Sequence, residues 1–464
     1  MRKILLILVG ILSVSVSAQI KGKVVDQSNQ PLVGAHVHFQ KEGTLTDTDG
    51  TFELKSAKQG DKIHITYIGF DETEVTATDN TVVTLKENTS ELQEVVIVGK
   101  GVIDLAKDRK TPIAVSTIKA AEIQAKVGTA DVTQALVNTP SVYVAGQAGG
   151  FGDSRISVRG FQQDNTAFLL NGQPINGMED GKMYWSNWSG MADIANAIQV
   201  QRGLGSSKLA ISSVGGTVNF VTKATEMQQG GFTSAGVAND NYLKTTVGYN
   251  TGISKKGWGA SFMLSNWSGD GYNNGTFGKG QNYFVSVGYK LNDKHNFNFL
   301  ITGAPQEHDQ NFSKKISDYL GFGRKYNNNY GYLNGKYISE RVNFYHKPVA
   351  NFNWDYKIND KLDLSTVLYA SWGRGGGTGN YGASVNKKYV SEVNPYTGQA
   401  QSTYIDFDQI YANNQALANG AGTIANSYLI RSSMNNHEWY GIVSNLKNKL
   451  TKDLTLNLGL DLRT

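Results

Sequence analysis

The C-terminal half of the chain alternates with a period of two. In "QNYFVSVGYK", Tyr283, Val285, Val287 and Tyr289 share one face, and Asn282, Ser286, Gly288 and Lys290 share the other. "NFNFLIT" sets Phe297, Phe299 and Ile301 against Asn296 and Asn298. "ANFNWDY" sets Ala350, Phe352, Trp354 and Tyr356 against Asn351, Asn353 and Asp355. "LTLNLGLDL" sets five leucines, Leu454 to Leu462, against Thr455, Asn457, Gly459 and Asp461. This period belongs to strands, whose successive side chains point to opposite faces. Nine strands can be read, near 231–239, 242–251, 257–267, 282–291, 295–303, 348–357, 361–372, 436–447 and 453–463. The connections "TGISKK", "ND", "IND" and "LTKD" are short. Apart from a tight first turn at "ANDN", they alternate with long ones: "SGDGYNNGTFGKGQ", about 304–347 and about 373–435. Segments of about 9–11 residues with aromatic ends and alternating loop lengths fit antiparallel transmembrane β-barrel strands. A soluble β-sandwich has no reason to keep its long loops at one end.

The start of the chain fits export. "MRKILLILVGILSVSVSAQ" has a charged n-region at Arg2 and Lys3, an apolar h-region from Ile4 to Leu12, and a small-residue cleavage site at Val16-Ser17-Ala18. That is the pattern of a Sec signal peptide over residues 1–18. After it, no apolar run reaches the roughly 20 residues of a spanning helix, so a membrane form of this protein must be a barrel. There is no cysteine among the 464 residues, which excludes disulfides and lipoprotein modification. A net charge of +5, or +3 without Arg2 and Lys3, gives no case for nucleic acid. Of 48 aromatic residues, 12 precede residue 231 and 36 follow it, so the two halves are different materials.

Residues 20–87 read as a small β-sandwich of about seven short strands. "IKGKVV", "GAHVHFQ", "GTFELK", "KIHITYIGF" and "TVVTLKE" are separated by turn signals. Ala35, Val37 and Phe39 alternate with His36 and His38, and Ile63, Ile65 and Tyr67 alternate with His64 and Thr66. "DTDG" at Asp47 to Gly50 fails the calcium-loop test, because Leu45 and Ser56 would occupy ligand positions; it reads as a β-turn. His36 and His38 lie i, i+2 on one strand face, but without a third ligand they read as solvated rather than metal-binding. The pattern from "GKVVDQSNQPLVGAHV" to "YIGFDETEV" resembles the carboxypeptidase-regulatory-like domain, a transthyretin-like sandwich that implies no catalysis.

Residues 111–225 mix short helices and strands. Thr129 is expected to cap a helix with Val132, Ala135 and Leu136 on its apolar stripe, ended by Pro140. "RISVRG" places Arg155, Ser157 and Arg159 on one face and Ile156 and Val158 on the other. "FLLNGQPI" carries an Asn171-Gly172 hairpin signal. "GLGSSK", Gly203 to Lys208, lacks the spacing of a phosphate-binding loop, and "GGFGDSRISVRG" lacks that of a dinucleotide fingerprint. No paired carboxylates, nucleophile–base pair or metal cluster stands out, so an enzyme is not expected, and neither is a cofactor.

Three motifs in order carry a second resemblance. "RISVRGF", "LLNGQPING" and "IQVQRGLGSSKLAISSVGGTVNFVTK" are similar to the plug domain of TonB-dependent outer-membrane receptors. The matching residues are Arg155, Arg159, Gly160, Asn171, Gly172, Arg202, Gly203, Gly215 and Gly216, with Thr222-Lys223 closing the last motif. Asn171 stands where the family commonly has Asp, and Leu209-Ala210 where it has Tyr-Gly. The resemblance implies a mostly β chain: transthyretin-like sandwich, α+β plug, then at 230–464 the first strands of an antiparallel barrel. Family barrels have about 22 strands, so on this resemblance nine strands are expected to be the N-terminal part of a longer protein or the product of a truncated gene. It also implies Arg159 and Arg202 as lock residues toward barrel glutamates, and energised import with TonB as periplasmic partner. Sandwich and plug together resemble Bacteroidetes-type receptors, including the SusC-like group, although the "YGTQKK"-type continuation is absent.

The linker, 88–110, contains "LQEVVIVG": Leu92, Gln93, Glu94, Val95, Val96, Ile97, Val98 and Gly99. A strand-prone run between polar flanks can add to the edge of a partner's sheet. In the resembling family the TonB box lies just before the plug and pairs in this way; the other reading is a strand of the sandwich or plug. The expected setting is the bacterial outer membrane, in contact with its lipid. The imported ligand could be a siderophore–metal complex, oligosaccharide, peptide or cofactor, and a surface lipoprotein is a possible further partner. Loops rich in Asn, Gly, Tyr and Trp suit sugars or peptides and equally suit ordinary outer loops. The competing class is a secreted β-sandwich adhesin.

Overall fold

The computed structural model describes residues 19–40, 42–67, 70–86, 114–128, 130–147, 152–203, 213–418 and 426–464. The signal-peptide segment and Leu92–Gly99 lie outside them. The chain divides into two compact units, Met1–Val95 and Val96–Thr464.

The first unit has seven short strands: β1 (Ile20–Val25), β2 (His36–Phe39), β3 (Glu42–Leu45), β4 (Thr51–Leu54), β5 (Lys62–Thr66), β6 (Thr73–Thr76) and β7 (Thr81–Thr84). They form two sheets, β4-β1-β7 and β3-β2-β5-β6. Alternation decides the packing: Val24, Val37, Leu54, Ile63, Ile65 and Leu85 are fully buried in one core. Thr46 is the one polar side chain buried among this unit's described residues. "DTDG" is a turn, with Asp47 Oδ1 accepting from the N–H groups of Asp49 and Thr51. The histidines form a stacked ladder, His36 to His38 at 5.4 Å and His38 to His64 at 5.2 Å, and His64 lies 3.3 Å from Glu74.

The second unit begins with β8 (Ala114–Lys119) and helix α1 (Ala120–Val127). The helix buries Ile123 and Val127. No helix was expected there; the expected one is a 3₁₀ turn over Val132–Leu136, capped by Asp131 rather than Thr129. Asp131 Oδ1 accepts from the Thr133 N–H at 2.8 Å, two residues on, which suits the tighter turn. Next come β9 (Val142–Gln147), β10 (Gly152–Val158), β11 (Phe161–Gln162), β12 (Thr166–Leu170), β13 (Gln173–Pro174), α2 (Met191–Ile194), β14 (Ala197–Arg202) and β15 (Gly216–Val221). The sheet β13-β12-β15-β14-β8 buries Phe168, Leu170, Ile198, Val200, Val218 and Phe220, with Trp185 edge-on to Phe168 at 5.2 Å.

The large sheet follows. Its strands are β16 (Gly230–Ala238), β17 (Tyr242–Asn250), β18 (Trp258–Asp270), β19 (Phe277–Lys290) and β20 (His295–Gly303). An excursion then contains β21 (Gln306–Asp309), α3 (Ile316–Phe322), β22 (Tyr330–Leu333), β23 (Lys336–Ser339) and β24 (Val342–His346). The sheet resumes with β25 (Val349–Lys357) and β26 (Leu362–Gly382). A second excursion holds β27 (Tyr389–Val393), β28 (Ala400–Asp406), α4 (Phe407–Ala418) and β29 (Tyr428–Met434), before β30 (His437–Lys449) and β31 (Thr455–Arg463). The meander β16-β17-β18-β19-β20-β25-β26-β30-β31 is antiparallel throughout. These are the nine strands read from the sequence, in the same order.

The excursions correct one expectation, since long stretches read as loops are strand. β21 and β24 extend the wall beyond β19 and β26, and β29 pairs with the far half of β26. β23-β22-β28-β27 make a separate sheet with its own core of Ile405, Phe407, Ile410 and Tyr428. Tyr330, Tyr332, Tyr337 and Tyr404 pack ring against ring there. Glycine hid the wall extension: "GRGGGTG" has side chains only at Arg374 and Thr378, too few to show a period.

One face of the meander is buried and mixed: Ser261, Ser265, Asn282, Ser286, Asn298, Asn351 and Asn353 turn toward the plug, and Met263, Phe284, Leu300 and Val349 on the same face join the plug's hydrophobic core. The other is apolar and exposed, as at Leu264, Val285, Phe299, Leu368 and Leu458. Near the short-turn end, aromatic rings line the wall: Trp258 stacks on Tyr289 at 4.3 Å, and His295 on Tyr356 at 4.2 Å. An apolar band with aromatic edges is what an interfacial girdle requires. No described helix is long and apolar enough to cross a membrane.

Candidate functional site: the plug–wall interface

The interface is built from the plug hairpin outward. Asn171 (φ 50°) and Gly172 (φ 85°) both adopt the left-handed conformation that a two-residue turn between β12 and β13 requires. The Asn171 side chain closes a ring with Thr222: Oδ1 accepts from the Thr222 N–H at 2.8 Å, and Nδ2 donates to Thr222 Oγ1 at 2.9 Å. Asn219 Oδ1 accepts from the Gly172 N–H at 3.1 Å. The hairpin is thereby fixed to the end of β15, with main-chain carbonyls left to be satisfied from outside.

β25 satisfies them. Asn353 Nδ2 donates to the Asn171 carbonyl at 2.9 Å. Asn351 Nδ2 donates to the Leu170 carbonyl at 3.3 Å and to Gln173 Oε1 at 3.1 Å. All of these groups are buried. Neighbouring strands continue the seam: Asn298 Oδ1 accepts from the Ala224 N–H at 3.1 Å, and Ser189 Oγ donates to Asn282 Oδ1 at 2.6 Å. Gly190 allows that approach, since a Cβ there would lie 2.7 Å from the Asn282 Cβ. Neutral amides meeting main chain fix register without burying charge.

Two ion pairs are added. Lys223 Nζ lies 2.7 Å from Asp355, and Lys244 Nζ of the wall lies 2.7 Å from Asp193 of the plug. Burial would lower the Lys223 pKa, but Asp355 and Glu226 outweigh it and hold the ammonium above its ordinary value. Inside the plug, burial pushes the Asp153 carboxyl up to about 6, opposed by the Ser186 N–H at 2.8 Å and reinforced by Asp131.

The plug-motif residues read from the sequence, Arg155 to Gly216, fall in the plug, whereas Leu92–Gly99 lies outside the described residues; the arginines are not among the plug–wall ties of the described residues. Arg155 is exposed on β10. Arg159 has left β10 in a left-handed turn (φ 55°), so it does not share the strand face of Arg155, and Gly160 (φ 81°) completes that turn. Arg202 Nη1 donates to the Pro140 carbonyl at 3.0 Å, within the plug. Gly203 gives room to Arg159, whose Nη1 a Cβ would meet at 2.2 Å. Gly215 and Gly216 pass so close to Asn165 and Gln201 that a Cβ would lie within 2.8 and 2.3 Å of their carbonyl oxygens. Among the described residues, the plug–wall ion pairs use Lys223 and Lys244 instead of Arg159 and Arg202. Sequence reasoning placed Asn351, Asn353 and Asp355 on the polar face but missed their partners, which lie over a hundred residues away. No group of three His, Asp or Glu is placed to hold a metal among the described residues.

Two cavities border the interface and the long-connection end. One of about 370 Å³ lies between Asp164–Leu169 of the plug and Trp439 and Arg463 of the wall. The other, about 680 Å³, is lined by Asp240, Asp270, Tyr272, Glu307, Asp309, Lys325 and Tyr337.

A plug domain seated by hydrogen bonds on the inner face of an open antiparallel wall with an apolar back defines a class, a plug against part of a β-barrel wall. The family comparisons make it specific. Residues 107–217 match the TonB-dependent Receptor Plug Domain, and residues 20–97 the CarboxypepD_reg-like domain. The TonB-dependent receptor SusC of Bacteroides thetaiotaomicron is 42% identical over 108 residues, 22% of this chain and 11% of the relative. The ferrienterobactin receptor of Escherichia coli K12 is 28% identical over 134 residues, 26% of this chain and 18% of the relative. Both matches therefore span under a fifth of the relative. The ferric-catecholate import receptor Fiu from E. coli K12, in its open form, shares the fold with a TM-score of 0.52 at 13% identity, covering 76% of this chain and 49% of that one. The chain therefore carries a match to the TonB-dependent receptor plug domain, preceded by a CarboxypepD_reg-like match, and over these segments it is similar to TonB-dependent receptors.

Proposed function

We propose that this chain belongs to a TonB-dependent outer-membrane receptor that imports a nutrient ligand into the periplasm. The observation that carries the reading is the seam itself, a hairpin main chain held by Asn351 and Asn353 on a wall whose opposite face is apolar. The short turns lie on the periplasmic side and the long excursions outside. Ligand enters through the excursions, and a pull from TonB shifts the plug along the asparagine face. Nothing in this cycle breaks a covalent bond of the ligand, so the activity is transport rather than catalysis. Leu92–Gly99 is the segment TonB grips by strand addition. The CarboxypepD_reg-like match runs to residue 97 and overlaps it, so the handle emerges from the end of the sandwich sequence. Curated relatives named for ferric enterobactin make a siderophore–metal complex the first ligand to test; oligosaccharides, peptides and cofactors follow, with or without a surface lipoprotein.

The test is uptake by cells expressing this receptor, supplied with ferric enterobactin as sole iron source or with oligosaccharides as sole carbon source. Val96→Pro removes a ladder donor, and is expected to abolish TonB-dependent growth while leaving ligand binding intact. Unchanged growth would sink the handle reading. Recovery of the protein in the aqueous periplasmic fraction without detergent would favour the adhesin instead.

A further inference from the structure

Lys347 lies between β24 and β25, beside Pro348, and only 5% of it is exposed. Among the described residues no carboxylate pairs with it. Its Nζ sits 5.8 Å from the ring centroid of Trp188 and 5.7 Å from that of Trp439. Both indoles are themselves buried, at 5% and 2% exposure. Trp188 closes the plug turn Trp185–Trp188 and belongs to the plug core. Trp439 stands on β30 and packs edge-on against Tyr369 of β26 at 5.6 Å. One ammonium thus lies over two aromatic faces within cation–π range, one on the plug and one on the wall.

Burying an ammonium without an opposite charge is costly. Facing indoles are the compensation offered here, and a cation–π contact gains strength when water is excluded. The arrangement differs from the two ion pairs already described. Lys223 and Lys244 each join plug to wall through one carboxylate, whereas Lys347 joins them through ring faces, which tolerate sliding better than a directed hydrogen bond does. The turn it holds leads directly into Ser189 and Gly190, which meet Asn282.

We propose that Lys347 is a positioning residue, a cation–π latch that holds the Trp185–Trp188 turn of the plug against the wall. Plug movement must draw Trp188 off the ammonium. The consequence for transport rests on the import reading above, but the latch is a property of the resting protein. It can be measured without ligand or TonB, so its failure is distinguishable from a failure of that reading.

The experiment is amide hydrogen exchange over residues 185–194 in the full chain in detergent, with the sandwich amides as internal control. Lys347→Met keeps the stem and removes the charge. It is expected to speed exchange in this segment about tenfold, the order that loss of two desolvated cation–π contacts gives. Lys347→Arg keeps the charge and should stay within about threefold of the native rate. Native-like exchange in Lys347→Met overturns the latch. An equal acceleration in Lys347→Arg also overturns it, because packing of the lysine stem would then be the whole effect. If Lys347→Met does not fold, Trp439→Phe decides. It retains an aromatic face of weaker attraction and should give about a threefold acceleration, whereas an unchanged rate overturns the proposal.

Discussion

The sandwich and the large sheet use the same period-two code with opposite sign. In the sandwich, Val37, Ile63 and Ile65 point inward and the histidine ladder points out. In the large sheet, Ser286, Asn298 and Asn353 point inward, and Val285, Phe299 and Phe352 point out. The period fixes only that two faces exist. What each face meets decides which is buried: a second sheet in one case, a plug that offers main-chain and amide groups beside its apolar residues in the other. Hydrophobic alternation is therefore evidence for strand, and evidence for an apolar interior only when no polar partner fills the inside.

The largest expected break in this comparison is Ile65→Ala. It should cost the sandwich about 2–5 kcal/mol, because Ile65 is fully buried and leaves a cavity. Urea unfolding followed by exchange at the sandwich amides reads it, with the wall amides unchanged. Next is Phe299→Arg on the outward face of β20. Its cost should be about 2–4 kcal/mol in a bilayer, measured by urea unfolding in vesicles. In detergent micelles, which deform around a charge, the cost should shrink; equal costs in both would mean that this face does not meet lipid.

The smallest effect sharpens the comparison from the polar side. Thr46 is the sandwich's one buried polar side chain among its described residues, while the plug holds the half-buried Asp153, whose carboxyl is pushed up by desolvation. The folded pKa of Asp153, about 6, exceeds the unfolded value of about 3.9. The folded plug therefore binds more protons between these values. This contribution to stability is full below pH 4 and is lost as pH rises through 6. Asp153→Asn should remove that slope and stabilise the plug by at most about 3 kcal/mol at pH 7. Exchange at plug amides between pH 4 and 7, corrected for intrinsic rates, checks it; a slope that persists would place the proton elsewhere.

Legibility followed side-chain contrast. All nine wall strands could be read because large apolar residues alternate with Asn and Ser. The far half of β26 could not, since its glycines carry no contrast. Asn171-Gly172 was readable as a turn because its backbone demands are local. Its docking was not, since Asn353 donates to a main-chain carbonyl and any residue could have supplied that oxygen. Thr129 and Asp131 are both competent caps, and only the geometry of the 3₁₀ turn separates them. The arginines drew attention as charges, yet Lys223 and Asp355 pair across 132 positions with no local signal.

β26 has one more consequence. Its 21 residues, at about 3.3 Å each, give a ribbon of up to about 70 Å, more than twice the thickness of a bilayer's hydrocarbon core. On the outer-membrane reading, its upper portion stands clear of the lipid like a chimney. The tyrosine-rich sheet β23-β22-β28-β27 is then carried at a height where antibodies, phage fibres or other bodies too large to approach the bilayer can reach it.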